Sequence, residues 1–151
     1  SHLGRDRRHP LAIAQSAAAT VKSVNDPLQQ ALKLQRDAAD TGFDWPQDET
    51  LWPQLWSKLQ EEIAELQQAP DAVARIEELG DMLFMAVNIA RHLHIDPAAA
   101  LSAANQKFER RFGFILQHAE QLPAIGEARR LAAMELLWLA AKIAEKAQAG
   151  R

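Results

Sequence analysis

The chain has 151 residues, one domain's worth and enough to bury a real core. Its composition is ordinary for a soluble protein, 48% hydrophobic and 25% charged, and a net charge of −3 argues against a general nucleic-acid or anionic-membrane binder. Without Cys there is no disulfide, thiolate zinc site or thiol nucleophile, no stretch approaches a transmembrane span, and absent Tyr, scarce Gly and abundant Ala predict an all-α protein.

Ser1 to Pro10 is basic and irregular, and the lack of an initiator Met suggests processing or a cloning remnant. Arg5, Arg7 and Arg8 ahead of Leu11-Ala12-Ile13-Ala14 superficially look like a signal peptide, but Gln15 and Ser16 interrupt the apolar run. Residues 1–26 are read as an arm or linker with a marginal Ala-rich helix over Leu11 to Lys22, and residues 27–151 as one domain. Asp26-Pro27 starts a helix with a capping acid and a proline in the first turn, and Thr41-Gly42 ends it near Asp40. Phe43 to Gln47 is a loop with an aromatic pair expected to be buried. The next helix begins near Thr50, with Pro53 tolerated in its first turn. Trp45, Trp52 and Trp56 read as packing residues.

Leu59 to Asp81 is the most informative stretch. Pro70 and Asp71 break it into two strong helix formers, so it predicts an antiparallel hairpin whose second helix is capped by Asp71. Glu62 and Glu65 are spaced i,i+3, as are Glu78 and Asp81, so each pair shares a helical face. Folding about Pro70 puts Glu62 and Glu78 at nearly one height, and at about 1.5 Å rise per residue the four acids fit within two turns. On the first helix Leu55, Leu59, Ile63 and Leu66 form the apolar stripe, with Glu62 at its edge, Glu65 further round and Glu61 almost opposite, in solvent. On the second, Ile76, Leu79, Leu83 and Val87 make the expected core stripe, and Met85 and Asn88 continue the face that Glu78 and Asp81 begin. Residues 82–87 are apolar all round, which predicts burial on both sides. Crowded carboxylates repel unless a cation sits among them, and oxygen ligands without His or Cys suit Mg²⁺ or Mn²⁺. Glu-rich helices are also ordinary solvated faces, and spacing leaves both readings open.

The hairpin's second helix runs to about His94, with His92 and His94 expected at the surface. Asp96-Pro97 starts another helix, whose Lys107 and Arg111 lie one turn apart; alone, such a pair is an ordinary solvated edge. Arg110 and Glu109 are expected in surface pairs. Pro123 and Gly126 precede a last helix, Glu127 to about Ala149, in which Leu131, Met134, Leu137, Trp138 and Ile143 read as packing residues.

Glu61-Glu62-x-x-Glu65 followed by Glu78-x-x-Asp81 resembles the EExxE…ExxD signature of the MazG family, all-α nucleoside triphosphate pyrophosphohydrolases. Gly42-Phe43-Asp44-Trp45 before it and Asn105-Gln106-Lys107-Phe108-Glu109-Arg110-Arg111-Phe112 after it look like the second, catalytic domain of two-domain MazG proteins. The resemblance covers roughly Pro27 to Lys142 and implies a MazG-like bundle of four to five helices, completed by homodimerisation. It implies a cytoplasmic enzyme that cleaves nucleoside triphosphates to the monophosphate and pyrophosphate. Glu62, Glu65, Glu78 and Asp81 would hold Mg²⁺, with Mn²⁺ as a substitute. Glu61 would orient or deprotonate the water, and Lys107 and Arg111 would bind phosphate. Asn88 and Asn105 would meet phosphate or ribose oxygens, and Trp45, with the Trp138–Lys142 pair, would lie near the nucleotide. The chain departs from that pattern at Ala74-Arg75, where the family often carries a Lys.

A narrow-substrate relative, acting on dCTP, dUTP or phosphoribosyl-ATP, and a non-catalytic helical oligomer are the rivals. Mg²⁺-dependent pyrophosphate release and a substrate panel separate the three. The partners implied are a nucleoside triphosphate and a second copy of the chain, with no nucleic acid and no membrane.

Overall fold

A computed structural model describes residues 26–150; all but the last residue of the arm assigned to residues 1–26 lies outside the described residues. Among these residues all regular structure is helical: α1 (Pro27–Asp40), α2 (Leu51–Gln68), α3 (Ala72–His92), α4 (Pro97–Gln117), a 3₁₀ turn (Ala119–Gln121) and α5 (Arg129–Ala149). The all-α fold expected from composition is the one that forms. None of these helices is long and apolar enough to cross a membrane.

Local chemistry sets the boundaries. Asp26 accepts from the Leu28 amide at 2.7 Å and Asp71 from the Ala74 amide at 2.8 Å, so α1 and α3 both start on carboxylate caps, each worth about 1 kcal/mol. Gly42, at φ +94°, turns the chain sharply after α1, a conformation that side chains with a Cβ rarely adopt.

The chain divides into two units, Ser1–Ala99 and Ala100–Arg151. In the first, α3 packs against both α2 and α1. Leu51, Leu55 and Met85 form the buried centre, with Trp45, Trp52, Leu59 and Ile89 packed around it. Leu55 is wholly buried, and burial of such a side chain contributes about 1.5–3 kcal/mol. In the second, Ile115 and Ala141 are buried. Phe108 stacks on Phe112 and meets Trp138 at a centroid distance of 5.7 Å.

Several packing expectations are corrected. Ile76, Leu79 and Leu83, expected as the core stripe of α3, are 43%, 43% and 52% exposed, whereas Met85 and Val87 are buried. The face of α3 that meets α2 runs instead along Glu78, Asp81 and Met85, on nearly the opposite side of the helix from that stripe at roughly 100° per residue. Within residues 82–87, Met85 and Val87 lie about 160° apart round the helix and are both buried, so cover comes from two sides, while Leu83 and Phe84 are exposed. Ile63 and Phe43 are exposed rather than buried, as are Trp56, Leu131 and Ile143. His92, expected at the surface, is enclosed, with a side chain 4% exposed. Its Nε2 lies 3.4 Å from Asp44 Oδ1 without a hydrogen bond.

Candidate metal centre

In the hairpin of α2 and α3 the Leu55–Met85 contact lies towards the open end, and the acids follow towards the Pro70 turn. Glu62 is buried, Glu78 half-buried and Asp81 exposed, and each brings one carboxylate oxygen to within 4.8 Å of the others. Glu65 lies near enough to Glu78 to be the largest influence on its carboxyl. Three of the four acids predicted as ligands, Glu62, Glu78 and Asp81, therefore converge, and Glu65 is exposed beside them. Glu61 points outward, its side chain 56% exposed.

The electrostatics follow from the crowding. The hydrogen bond from Glu65, then burial, then repulsion from Glu65, Asp81 and Glu77 push the Glu78 carboxyl up to about 7. A carboxyl raised that far is part-protonated at neutral pH in the absence of a cation. Glu62 is handled differently. Lys58, one turn earlier on α2, sets its ammonium 3.2 Å from Glu62 Oε1 and 3.3 Å from Glu61 Oε1. Sequence reasoning passed over Lys58, although its i,i+4 spacing to Glu62 was a usable signal.

Glu62 Oε2 and Glu78 Oε2 remain buried with no hydrogen-bond partner. Buried anionic oxygens without donors are costly, and a cation is the group that satisfies them. The donors are all carboxylate oxygens, so the residues present can hold a metal ion, and a hard divalent cation fits them.

A second feature lies further along α3. The Gly42 turn carries Phe43, Asp44 and Trp45 back towards Arg91, whose Nη1 and Nη2 donate to Asp44 Oδ2 and Oδ1 at 2.9 and 2.8 Å. This fork holds the Asp44 carboxyl down at about 2. Asp44 Oδ1 also accepts from the Trp45 amide at 2.8 Å, which fixes the indole against the Leu51–Leu55–Met85 centre. Burial holds the His92 imidazole below its usual range. Trp45, Asn88, Arg91, Leu34, Gln35 and Phe84 line a mainly apolar pocket of about 410 Å³. The structure thus brings Trp45 and Asn88, two of the predicted contact residues, into one pocket.

The second unit holds Asn105, Lys107, Arg111, Trp138 and Lys142. Arg111 Nε and Nη2 donate to Glu145 Oε2 at 3.2 and 3.1 Å, and its guanidinium sits 5.3 Å from the centre of the Trp138 ring. Arg110 also pairs with Glu145, at 3.6 Å, in line with the surface pairing expected of it. The two arginines hold the Glu145 carboxyl below its usual range, the Arg111 hydrogen bond most of all. Asn105, Lys107 and Lys142 are exposed.

No family model matches the chain. Individual proteins do. The nucleoside triphosphate pyrophosphohydrolase/pyrophosphatase MazG of Thermotoga maritima is 35% identical over 115 residues, which are 76% of this chain and 44% of that protein. The nucleoside triphosphate pyrophosphohydrolase of Escherichia coli K12 is 42% identical over 86 residues, 56% of this chain and 33% of the relative. An uncharacterised Bacillus subtilis protein, YabN, is 41% identical over 69 residues, 46% of this chain and 14% of its own length. The chain spans less than half the length of each of these relatives.

Proposed function

Because the chain belongs to the MazG family, we propose that it is a Mg²⁺-dependent hydrolase that converts nucleoside triphosphates to monophosphates and pyrophosphate. The observation that carries this reading is the convergence of Glu62, Glu78 and Asp81 around two buried carboxylate oxygens that have no donor.

Glu62, Glu65, Glu78 and Asp81 would hold the ion, with Mn²⁺ as a substitute. A bound divalent cation supplies Lewis-acid stabilisation of phosphate charge and a more acidic water at neutral pH. The protein's own part begins with a proton: one held on the raised Glu78 carboxyl must leave before that carboxylate can act as a ligand. Lys58 offsets the charge of Glu62 and Glu61 and adds a cation beside the acids. Glu61, outward and held by Lys58, is the residue available to orient the attacking water. Lys107 and Arg111 would take phosphate oxygens away from the ion, Arg111 exchanging Glu145 for phosphate. On the family resemblance, Asn105 and Lys142 would contact the nucleotide, and Trp138 would lie near it. Trp45 and Asn88 would contact the nucleoside.

The outward Ile76, Leu79 and Leu83, with Val73 at 66% exposure, would be covered by a second copy of the chain. Free nucleotides as substrates fit a cytoplasmic place of action. Pyrophosphate release across a panel of ribo- and deoxynucleoside triphosphates, titrated with Mg²⁺, tests the reading. Absence of metal-dependent release from every nucleotide would return the chain to a non-catalytic helical oligomer.

A further inference from the structure

Arg91 touches three polar side chains of the pocket beside Trp45: Asp44, Asn88 and Gln35. Besides its fork to Asp44, Nη2 donates to Asn88 Oδ1 at 2.9 Å and Nε faces Gln35 Oε1 at 3.4 Å. A guanidinium only donates, so the atom each amide turns towards it must be oxygen. Gln35, buried at 5% exposure, spends its other end on the Phe84 carbonyl, with Nε2 at 2.9 Å. Both ends of Gln35 are therefore committed within the protein. Asn88 is not: its Nδ2 meets only the Met85 sulfur, at 4.0 Å, a weak acceptor.

We propose that Arg91 is a positioning residue that locks the Asn88 amide with Nδ2 as the donor in the pocket beside Trp45, so that the pocket takes an acceptor oxygen of a nucleoside. This rests on the nucleotide reading above and deepens it. The amide cannot flip to offer its oxygen without setting an NH₂ group against a permanent cation. Position agrees: Asn88 lies on the same α3 face as Asp81, seven residues on, about 10 Å along the axis and within the length of one nucleotide. The walls agree too, since Trp45, Phe84 and Leu34 offer apolar surface to a flat ring while Asn88 supplies a polar contact.

The acceptor has two sources, a base carbonyl or a sugar oxygen. Calorimetric titration with non-hydrolysable α,β-methylene nucleoside triphosphates, as ribo, deoxy and 2′,3′-dideoxy forms, separates them, because only a sugar contact is lost in the dideoxy series. Asn88→Asp keeps the bond to Arg91 and removes the donor. It is expected to weaken analogue binding about tenfold or more with the melting temperature held or raised. Arg91→Lys preserves charge but not the fork, and is expected to weaken binding several-fold. The double variant should bind no worse than Asn88→Asp alone, since both act through one contact. Full additivity would make Arg91 a ligand in its own right and overturn the proposal, as would unchanged affinity in Asn88→Asp. Should Arg91→Lys not fold, the Asn88 side-chain amide in ¹⁵N spectra of the parent answers instead: its protons shift on analogue binding if it donates, and stay put if it does not. Pyrophosphate release by the parent separates this proposal from its premise. An active parent whose analogue affinity ignores Asn88→Asp overturns the proposal alone. A parent that binds analogue through Asn88 yet releases no pyrophosphate overturns the hydrolase reading alone, and one that does neither overturns both.

Discussion

Across the seam between α2 and α3, Glu65 stands beside Glu78 and is the chief cause of its raised carboxyl. This raises Glu78 to about 7 in the folded state, against about 4.5 unfolded. A carboxyl with a raised folded value binds more protons folded than unfolded between those two values. Stability of the metal-free protein should therefore rise as pH falls from about 8 to about 5. Thermal melts in chelator across that range check it, and Glu78→Gln should flatten the trend. A parent that loses stability over the same interval would contradict the raised Glu78 carboxyl.

Removing single ligands tests the cluster directly. Glu62→Gln, Glu78→Gln and Asp81→Asn keep size and hydrogen bonding but lose the anion, and each should cost on the order of a hundredfold or more in pyrophosphate release. Mg²⁺ should raise the melting temperature of the parent strongly and of these variants little. Glu61→Gln, altering an outward carboxylate, should leave that metal-linked shift nearly intact. Equal shifts in parent and variants would mean that the acids are not the metal site.

Asp44 gives a prediction of opposite sign. Its carboxyl is held at about 2 against 3.8 unfolded, so the contribution of its pair with Arg91 is complete above about pH 4 and lost as pH falls through about 2. With solvent screening discounted, the pair contributes about 1 kcal/mol. Asp44→Asn should melt lower than the parent at pH 6 and converge with it near pH 2. A gap that persists undiminished into acid would sink the account.

Lys107→Ala and Arg111→Ala should raise KM or lower kcat while leaving helicity unchanged. Arg111 is held by Glu145 and lies over Trp138, so its loss should also cost some stability, whereas Lys107 is exposed. Unaltered kinetics in both variants would leave them as ordinary surface residues.

Cover for the outward stripe of α3 predicts association. The parent should sediment as a dimer or larger at micromolar concentration, and Leu79→Lys or Leu83→Glu should shift it towards monomer. A folded, monomeric parent would remove the second copy from the picture.

How much of this was legible from the residues depends on which force set each feature. Asp26-Pro27, Asp71 and Asp96-Pro97 announced their helix starts because capping is a local interaction. Glu62, Glu65, Glu78 and Asp81 could be brought to one level by counting from Pro70, because helix rise is regular. The sides of α3 could not be read in the same way. Periodicity marks an apolar stripe but does not say which neighbour takes it, and here the acidic seam faces α2 while Leu79 and Leu83 look outward. Nor does periodicity reveal a long-range partner. Arg91 meets Asp44 across 47 positions and Gln35 across 56, contacts that depend on the Gly42 turn and on how α1 packs against α3. Lys58 was within local reach, since its spacing to Glu62 repeats the rule applied to the acid pairs.

The Lys58 ammonium beside Glu62 bears on the order of events in making the protein. The hairpin takes its shape from the Asp71 cap and from Leu55 against Met85, and one of its acids already has a counter-cation in the chain itself. The scaffold can assemble first and load afterwards, so that metal arrival is an exchange of ion partners rather than a folding event. Chelation should accordingly silence such a molecule and leave its helices standing, the reverse of a small zinc domain that collapses when its ion is withdrawn.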